Sequence, residues 1–578
     1  MREAWSSLKP YLWRHRRGLV LGMGALVFKD LLAAALPLLI RAGIDSIAGR
    51  FHLPTLLGFC GLLVALAAVK GVFQYWMRVI LIGISRDIEY DLRNDLFAHL
   101  LTLSPAFFAR TRTGDIMARA TNDLNAVRMM LGPGLMYWSE TSLTFVLAVA
   151  VMSSVDWQLT LLALAPAPMV SLVVFWFGRL IHARFERLQE MFSDITSRVQ
   201  ESLAGVRVLR AYVQEDAELR RFEQLNRAYV SQSLRLARIS GLFLPLLQAL
   251  VGLTFLIVLW AGGVRVLAGR ISLGTFVMFS TYMGMLIWPM IAMGWVVNLI
   301  QRGNASLGRI RQILAERPGL ATPARPRPIA EKASIEFRDV SVLFPGVRAL
   351  DRVNLKIAWG ETVAIVGRTG SGKSTLVRLI PRLLDPDEGQ LLLGGVDLRE
   401  LSLPDLRRRI GMVPQETFLF SGTLADNIAF GLEQVSEAEI LRAAEQAGLG
   451  PDLAGFPQGI HTLIGERGLT LSGGQKQRTA IARAILRDPE VLILDDALSS
   501  VDTLTEERIL AGLATLMRGR TTVLISHRVS TVRQADRIVV LDAGRIVEEG
   551  THSELIAGGG YYADLYQKQL LEEELEAV

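Results

Sequence analysis

Six long apolar stretches fill the chain before about residue 300, and they restrict its fold more than any other feature. They lie at residues 18–44, 54–82, 129–155, 157–178, 239–264 and 271–301. A helix needs roughly 20 apolar residues to cross a bilayer, and the last three stretches contain no charged residue. Uncharged runs of this length are not expected of buried helices in a soluble protein. The sequence therefore predicts a multi-pass membrane protein with six transmembrane helices.

The basic residues between these stretches predict the orientation of the chain. If the N-terminus is cytosolic, the inner segments (before residue 18, 78–128 and 179–238) carry 23 Lys and Arg residues, and the outer turns carry four. Basic residues accumulate on the cytoplasmic side, so we expect both termini in the cytosol and the chain in the cytoplasmic (inner) membrane. This distribution also explains the net charge of +6 without nucleic acid as a partner.

The two inner connections between spans are each about 50 to 60 residues long and have a helical pattern. In residues 86–101, apolar positions recur at three- and four-residue spacing among mixed charges, which is typical of an amphipathic helix. We therefore predict that spans two to five continue as helices well beyond the bilayer. Such extensions would carry force between a soluble domain and the membrane.

Four ionisable residues lie well inside the predicted spans, away from their ends, namely Lys29, Asp30, Lys70 and Glu140. Charged side chains are costly in lipid, so we expect them to face the protein interior or a wet cavity. Two interpretations are open: they line a substrate site, or they pair among themselves and hold the bundle together. Lys29 and Asp30 also interrupt the first apolar run, which argues against a cleaved signal peptide.

A proline-rich segment marks the clearest domain boundary. Residues 315–334 contain Pro318, Pro323, Pro326 and Pro328, and such a composition favours a semi-extended linker. We therefore predict a transmembrane domain at 1–315, a linker at 316–333 and a soluble domain at 334–578.

The soluble domain opens with a phosphate-binding motif. Residues 361–380 place an apolar strand, a glycine-rich turn and a helix in succession, and the turn fits GxxxxGKS. Glycines let the backbone approach a phosphate closely, while the lysine supplies charge to the outer phosphates and the serine a hydroxyl to magnesium. The domain is expected to bind a nucleoside triphosphate with Mg²⁺. The candidate binding residues are Gly367, Arg368, Thr369, Gly370, Ser371, Gly372, Lys373, Ser374 and Thr375.

A second strand lies within residues 490–500, where four apolar residues are followed by two carboxylates. Asp495 at its carboxyl end is placed to hold the magnesium shell together with Ser374. Asp496, the next residue, is placed to face the water that attacks the terminal phosphate.

A third motif lies between these two. Ser472, Gly473 and Gly474 open a long amphipathic helix that continues to about residue 489, and alone they would indicate only a turn and a helix cap. At this spacing from the phosphate loop and the aspartate strand, they resemble the signature of ATP-binding cassette (ABC) proteins. The second half of the chain resembles ABC nucleotide-binding domains throughout, and the first half resembles the six-helix membrane domain of type IV (B-type) exporters.

The resemblance implies the fold class and further site residues. The fold would be an α-helical membrane domain of six transmembrane helices with long cytosolic extensions, followed by an α/β P-loop ABC nucleotide-binding domain. Residues 111–123 and 201–216 resemble the two coupling segments of the family. The implied site residues are Phe344 (adenine stacking), Gln415 (magnesium and sensing of the membrane domain), Leu471, Ser472, Gly473, Gly474 and Gln475 (signature), 465–468 (X-loop), Asp502 (D-loop) and His527 (switch histidine).

One residue departs from the family pattern. Most members place Glu directly after the strand aspartate as the base that orients the hydrolytic water, whereas this chain has Asp496. The carboxylate is one methylene shorter, and misplacing a catalytic group by about 1 Å can cost on the order of 100-fold in rate. We therefore expect a site that binds ATP well and hydrolyses it poorly.

The family's architecture extends this expectation to a partner. Each ATP in these proteins lies between the phosphate loop of one subunit and the signature of the other. With an intact signature and an impaired site of its own, the chain resembles the weak-site subunit of bacterial heterodimeric multidrug exporters. A homodimer in which Asp496 works adequately is the alternative.

The resemblance implies ATP-driven export of hydrophobic or amphipathic substrates, such as drugs, lipids or peptides, with contact to membrane lipids. Import on the same fold stays open. A rival of another class is an ATP-gated channel or a sensor that binds nucleotide without pumping. Vectorial movement of a substrate into inside-out vesicles would distinguish a pump from a sensor.

Overall fold

The fold is described here from a computed structural model, which describes residues 2–49, 52–465, 471–498, 509 and 517–576. The chain divides into two compact units. Unit 1 comprises Met1–Leu101 and Arg112–Glu316, and unit 2 comprises Thr102–Thr111 and Arg317–Val578.

Helices are the regular secondary structure of unit 1 among its described residues. Within the described residues, six helical stretches are long and apolar enough to cross a membrane, at Arg16–Ala48, Leu53–Leu100, Thr113–Val155, Trp157–Ala204, Glu215–Leu267 and Leu273–Leu314. The prediction of six transmembrane helices is therefore confirmed. The helices of unit 1 are α1 (Arg2–Arg14), α2 (Arg16–Gly49), α3 (Leu53–Leu100), α5 (Thr113–Ala118), α6 (Leu124–Met129), α7 (Leu135–Val155), α8 (Trp157–Leu164), α9 (Ala167–Ala204), α10 (Val206–Ala211), α11 (Glu215–Leu267) and α12 (Leu273–Leu314); α4 (Pro105–Arg110) belongs to unit 2.

The predicted extension of the spans is also present. α3 has 48 residues and α11 has 53, whereas roughly 20 suffice to cross the bilayer. The third span lengthens through two π-helical turns, at Arg119–Asp123 and Met130–Gly134, that join α5, α6 and α7. Each of these three stretches therefore continues as helix past its apolar part.

The last helix forms the packing centre of unit 1. α12 packs against α2, α7 and α11, and its Phe279, Tyr282 and Leu286 are fully buried. Most of the methionine and aromatic side chains in its first half therefore pack inside the bundle. Trp288 and Trp295, further along α12, are exposed by 58% and 45%.

Two short helices interrupt the long ones on the side predicted to be cytosolic. α10 lies within the predicted coupling segment 201–216. The other, α4, lies just before the predicted segment 111–123, which itself forms α5 and the first π-helical turn. Residues 102–111, which contain α4, group with unit 2.

Unit 2 contains three sheets among its described residues. A four-stranded sheet has the order β2-β1-β4-β5, a six-stranded sheet the order β12-β11-β3-β10-β9-β6, and β7 pairs with β8. The strands are β1 (Ile335–Phe344), β2 (Val347–Ile357), β3 (Thr362–Val366), β4 (Glu388–Leu393), β5 (Val396–Asp397), β6 (Ile410–Val413), β7 (Gly422–Thr423), β8 (Leu463–Ile464), β9 (Val491–Asp495), β10 (Thr521–Ile525), β11 (Arg537–Asp542) and β12 (Arg545–Gly550).

The six-stranded sheet is the centre of unit 2 because helices and the second sheet cover both of its faces. Strands β3, β9 and β10 are buried along their whole length, which continuous apolar runs in a parallel sheet produce. The fold class inferred from the sequence is confirmed. The described helices are α13 (Lys373–Leu379), α14 (Leu403–Arg408), α15 (Leu424–Ile428), α16 (Glu437–Gln446), α17 (Gly450–Gly455), α18 (Gly473–Leu486), α19 (Val529–Val532), α20 (His552–Gly558) and α21 (Tyr561–Glu576).

The proline-rich segment lies between the last helix of unit 1 and the first strand of unit 2. α12 ends at Leu314 and β1 begins at Ile335. Between them, Arg327 forms an isolated β-bridge with Leu401.

Candidate functional site

Four neighbouring strands of the six-stranded sheet end at one edge. β3, β10, β9 and β6 lie side by side and are all parallel. Because the carboxyl ends of parallel strands meet at the same edge, the residues that follow them share one side of the domain. These residues are the phosphate loop after β3, His527 after β10, Asp495 and Asp496 at the end of β9, and Gln415 after β6.

The phosphate loop has a backbone that only glycine fits. Gly367 has φ of 152°, and a Cβ there would collide with the carbonyl oxygen of Leu541. Gly372, the residue before α13, has φ of 104°, and a Cβ would collide with the carbonyl oxygen of Ala349. The loop can therefore curl tightly and present its backbone N–H groups to an anion.

Lys373 lies within the curl of this loop. Its Nζ donates to the carbonyl oxygens of Gly367 and Arg368, both at 2.8 Å. Burial lowers the pKa of Lys373, while the negative charges of Asp496 and Asp495 act in the opposite direction. The ammonium group of Lys373 therefore lies inside the loop and is bonded to its carbonyl oxygens. When a triphosphate binds, phosphate oxygens would take the place of these carbonyls.

Ser374 and Asp495 form the candidate magnesium site. The hydroxyl of Ser374 donates to Oδ1 of Asp495 at 3.0 Å, and Asp495 is only 1% exposed. Its Oδ2 is buried without a hydrogen-bond partner among the residues that the structure describes, and so is Oγ of Ser371 in the phosphate loop. A buried carboxylate oxygen and a hydroxyl beside it are ligands that Mg²⁺ prefers, so these residues fit the ion.

Burial raises the pKa of Asp495, and the neighbouring charge of Asp496 adds to this effect. The Ser374 hydrogen bond and the positive charges of Arg378 and Lys373 oppose it. An ionised carboxylate here is therefore under-compensated by the chain itself. A bound divalent cation would supply the missing positive charge.

Asp496 directly follows β9 and is half-buried. Its φ is 51°, in the left-handed region, and its N–H donates to the carbonyl oxygen of Ile525 at 2.9 Å. Among residues with a side chain, Asp and Asn tolerate this conformation best. The backbone therefore holds Asp496 between the ends of β9 and β10.

The remaining predicted nucleotide contacts lie at the surface of unit 2. Gln415, His527 and the phosphate-loop residues Arg368, Thr369 and Gly370 are exposed, and Thr375 in α13 is half-buried. Phe344, the last residue of β1, is 48% exposed. An exposed ring at a strand end can stack on a base at low cost.

The signature begins helix α18. Oγ of Ser472 accepts from the N–H of Gln475 at 3.3 Å, and Oε1 of Gln475 accepts from the N–H of Ser472 at 2.9 Å. This is a capping box, as the serine and glycines at this position indicate. Ser472 and Gly473 are exposed, Leu471 is half-buried, and Gly474 is buried. The N-terminus of α18 is thus open at the surface, where it can meet an anion.

Some predicted positions lie outside the described residues. These are Asp502 and residues 466–468 of the predicted X-loop.

Sequence reasoning missed two features of unit 2. Phe418, Phe420 and Phe430 form an exposed aromatic cluster soon after Gln415, with ring centroids 4.5 to 5.1 Å apart and Arg483 over Phe430. The spacing of Phe418 and Phe420, two residues apart, is a sequence signal from which their contact could have been predicted. The other feature, a contact from the last helix to the His527 loop, has no sequence signature.

Comparison with known proteins places the whole chain in one family. Residues 19–290 match the family described as ABC transporter transmembrane region, and residues 350–499 match the ABC transporter family. The chain is also 39% identical over 539 residues to the probable multidrug resistance ABC transporter ATP-binding/permease protein YheI of Bacillus subtilis (strain 168), covering 93% of this chain and 92% of that protein. This chain belongs to the type IV ABC exporters.

Two further comparisons agree. The exporter is 36% identical over 565 residues to the ATP-dependent lipid A-core flippase of Syntrophus aciditrophicus (strain SB), covering 97% of this chain and 94% of that one. Its fold matches a solved bacterial Atm1-family ABC exporter with ATP bound, with a TM-score of 0.80 and 28% identity, covering 96% of this chain and 99% of that chain. The exporter is therefore a multi-pass, ATP-hydrolysing half-transporter.

The membrane unit of the exporter contains a buried ion cluster. Nζ of Lys29 lies 2.7 Å from Oδ1 of Asp30 and 2.5 Å from Oε1 of Glu140. Lys29 and Asp30 are 4% and 2% exposed. Three of the four intramembrane ionisable residues thus pair across α2 and α7, as the structural interpretation predicts. The fourth, Lys70, is half-buried on α3.

Proposed function

We propose that the chain is one half of a heterodimeric exporter and carries the weaker of two ATP sites. Its partner would be a second ABC half-transporter with the usual Glu after its aspartate strand. The pattern resembles TmrB of the TmrAB complex in length and motif arrangement. The single residue that carries this proposal is Asp496.

The position of Asp496 supports an impaired site. Its backbone is held by the hydrogen bond from its N–H to the carbonyl oxygen of Ile525 and by the end of β9. The backbone therefore cannot shift toward the attacking water to make up for the shorter side chain. The side chain is one methylene shorter than that of Glu. A base held about 1 Å short of the attacking water loses on the order of 100-fold in rate.

The binding groups of the same site are present, which separates binding from hydrolysis. Lys373 and the loop N–H groups would hold the triphosphate, with Phe344 against the adenine. Ser374, Asp495 and Gln415 would hold Mg²⁺, which when bound draws charge from the phosphate oxygens. His527 would contact the terminal phosphate, and Asp496 would orient water poorly. ATP at this site is therefore expected to act mainly by joining the two subunits.

The signature supports the other half of the proposal. Ser472 and Gly473 are exposed at the start of a capped helix, so they can complete the ATP site of a partner. The partner's site would then have a full catalytic set. Closure of the two nucleotide-binding domains would be transmitted by the coupling segments around Gly114 and Val206, and the cavity of the twelve helices would open outward.

We further propose that the substrates are hydrophobic or amphipathic molecules such as drugs, lipids or peptides. The names of the relatives, a multidrug resistance transporter and a lipid A-core flippase, support this class. The distribution of Lys and Arg supports cytosolic termini in the cytoplasmic membrane, with membrane lipids around the spans. A homodimeric flippase or multidrug exporter is the second candidate, since a self-paired chain would also have two sites.

The exchange Asp496→Glu tests the central claim in the purified, full-length exporter with its partner subunit. The longer side chain restores the reach of the base, so ATP turnover at this chain's site is expected to rise by up to roughly 100-fold. Turnover is measured by steady-state ATPase, with the partner's catalytic Glu replaced by Gln so that only this site contributes.

Asp488→Glu is the matched control. Asp488 also has a left-handed backbone, with φ of 49°, and its side chain is 84% exposed. The same lengthening there is expected to leave ATPase unchanged. If Asp496→Glu does not raise the ATPase rate, the short side chain of Asp496 does not explain an impaired site. If the native chain pairs with itself and hydrolyses ATP at full rate, the homodimer is correct.

A further inference from the structure

The last helix of the chain contacts the loop that carries His527. Nε2 of Gln569, in α21, donates to the carbonyl oxygen of His527, and its Oε1 accepts from the N–H of Val529 at 2.7 Å. One partner is an acceptor and the other a donor, so the orientation of the amide is fixed by the network. A single side chain thus bonds to the backbone on both sides of Arg528.

The loop that Gln569 bonds joins β10 to α19 and carries His527 between them. It runs from the end of β10 at Ile525 to the start of α19 at Val529, and the side chain of His527 is exposed. Within the loop, Oγ of Ser526 accepts from the N–H of Arg528 at 3.0 Å. The direction of the His527 side chain depends on the peptide units that follow it, and these are the units that Gln569 bonds.

Helix α21 is itself fixed to the core beneath the phosphate loop. Tyr562 is fully buried in a cluster with Val529 and Val532 of α19 and with Ala364 and Val366 of β3. β3 is the strand that leads into the phosphate loop. One apolar cluster therefore joins α21, the helix α19 that follows the His527 loop, and the strand β3 that leads into the phosphate loop.

Polar contacts secure the start of the same helix. The carboxylate of Glu548 accepts from the N–H groups of Tyr561 at 2.5 Å and Tyr562 at 3.2 Å, which satisfies free donors of the first turn. Nδ1 of His552 lies 2.7 Å from the hydroxyl of Tyr562. Gln569 therefore lies on a helix whose first turn is bonded to β12. Its hydrogen bonds to the loop hold the loop backbone against this helix.

We propose that Gln569 is a positioning residue for His527. Its two hydrogen bonds hold the loop backbone in the position from which His527 can reach the terminal phosphate. The inference rests on the proposed role of His527 in hydrolysis and adds a residue far away in the sequence. ATP binding depends on the phosphate loop and Phe344, so loss of the clamp should slow hydrolysis and leave binding intact.

The test uses the full-length exporter with its partner subunit, with the native Asp496 and with Asp496→Glu. In both forms the catalytic Glu of the partner is replaced by Gln, so that turnover at this chain's site is measured. Gln569→Ala is expected to lower kcat roughly tenfold or more, because a displaced catalytic group can cost on the order of 100-fold. The KM for ATP and the binding of photoreactive azido-ATP to this chain should change less than about twofold, the pattern of a lost transition-state contact.

Two further variants separate positioning from folding. Gln569→Glu keeps the acceptor for the N–H of Val529 and the length of the side chain, but it loses the donor to the His527 carbonyl, so it should slow hydrolysis as Gln569→Ala does. Gln567→Ala changes an exposed glutamine on the same helix and should leave kcat unchanged. The melting temperature of each variant is recorded beside its kinetics.

A double-mutant cycle with His527→Ala decides the mechanism. If Gln569 acts through His527, then Gln569→Ala should lower kcat less than about twofold when His527 is already absent, because coupled residues are not additive. An equal loss in both backgrounds would mark a general structural effect and overturn the proposal. If His527→Ala alone has no effect, the proposed role of His527 fails first, and the inference fails with it.

Discussion

At the scale of single residues, the site balances a buried negative charge against a cation that the chain does not supply. Asp495 is almost fully enclosed, receives one hydrogen bond from Ser374, and leaves its second oxygen without a partner among the described residues. Burial raises the pKa of this carboxyl. The unfolded chain ionises Asp495 with full hydration, so stability from this group is highest at low pH and falls as the pH rises through the raised folded-state pKa.

The exchange Asp495→Asn should therefore have opposite effects with and without nucleotide. Without nucleotide, the amide keeps an acceptor for Ser374 and removes the buried charge, so the melting temperature at neutral pH should rise by roughly 2 to 4 °C, as about 1 kcal/mol produces in a unit of this size. With Mg²⁺ and ATP, the ligand-dependent rise, about 2.7 kcal/mol at one hundred times the Kd, should largely vanish.

Thermal melting of the purified exporter measures both effects. Asp405→Asn serves as the control, because this aspartate is exposed on α14 and, among the residues that the structure describes, forms its ion pair with Arg408 at 3.1 Å. It should leave both melting temperatures unchanged. A lower melting temperature for Asp495→Asn without nucleotide would contradict the argument from buried charge.

The sequence predicts those site residues whose chemistry lies in a local pattern. Gly367, Lys373 and Ser374 share one turn, and Asp495 closes an apolar strand, so their roles follow from spacing. The hydrogen bonds from the Lys373 ammonium to two loop carbonyls could not be predicted, because they depend on the backbone conformation of the phosphate loop. Gln569 could not be predicted either, because 42 residues separate it from His527 and no pattern joins them.

At the scale of elements, hydrophobic periodicity predicts the long helices well and the short ones poorly. The apolar stretches locate all six spans, since each is longer than the bilayer requires. α10 lies within the predicted segment 201–216, whereas α4 lies before the predicted segment 111–123. A helix of six residues has no periodicity to read, so its bounds depend on contacts that are distant in sequence.

The short helix α10 presents an apolar surface that unit 1 does not cover. Val206, Val208 and Tyr212 are exposed by 39%, 61% and 73%. Exposed apolar groups that cluster at one turn indicate a contact surface. The proposed coupling role of residues 201–216 gives that surface a function in transmitting closure of the nucleotide-binding domains.

The exchange Val208→Asp should uncouple transport from ATP hydrolysis. Placing a charge in an apolar contact costs about 2 kcal/mol, which weakens the contact roughly 30-fold. We expect substrate uptake into inside-out vesicles and substrate-stimulated ATPase to fall by that order, while basal ATPase stays within about twofold. Val230→Asp, at an exposed position along α11, should change neither. Equal loss of basal and stimulated ATPase would refute a coupling role.

At the scale of the whole molecule, the proposed exporter is unequal in its two ATP sites. This chain supplies a phosphate loop and a short base to one site and an exposed signature to the other. Hydrolysis should therefore depend more on its signature than on its own lysine. In a homodimer every site contains both elements, so the two would matter equally.

Two exchanges measured in parallel test this asymmetry. Gly473→Glu places a carboxylate in the first turn of α18, where the helix tolerates it, but where it would repel the triphosphate bound by the partner. Steady-state ATPase of the native heterodimer should then fall on the order of 100-fold, comparable to the loss of a transition-state contact. Lys373→Ala should lower it less, by under about tenfold, because it weakens the joining of the subunits by ATP at this site but leaves the partner's catalytic set in place. Gly455→Glu, at an exposed glycine whose Cβ position is open, controls for the added charge.

Equal losses from Gly473→Glu and Lys373→Ala would show that both sites hydrolyse ATP. The homodimer or a symmetric heterodimer would then replace the unequal one.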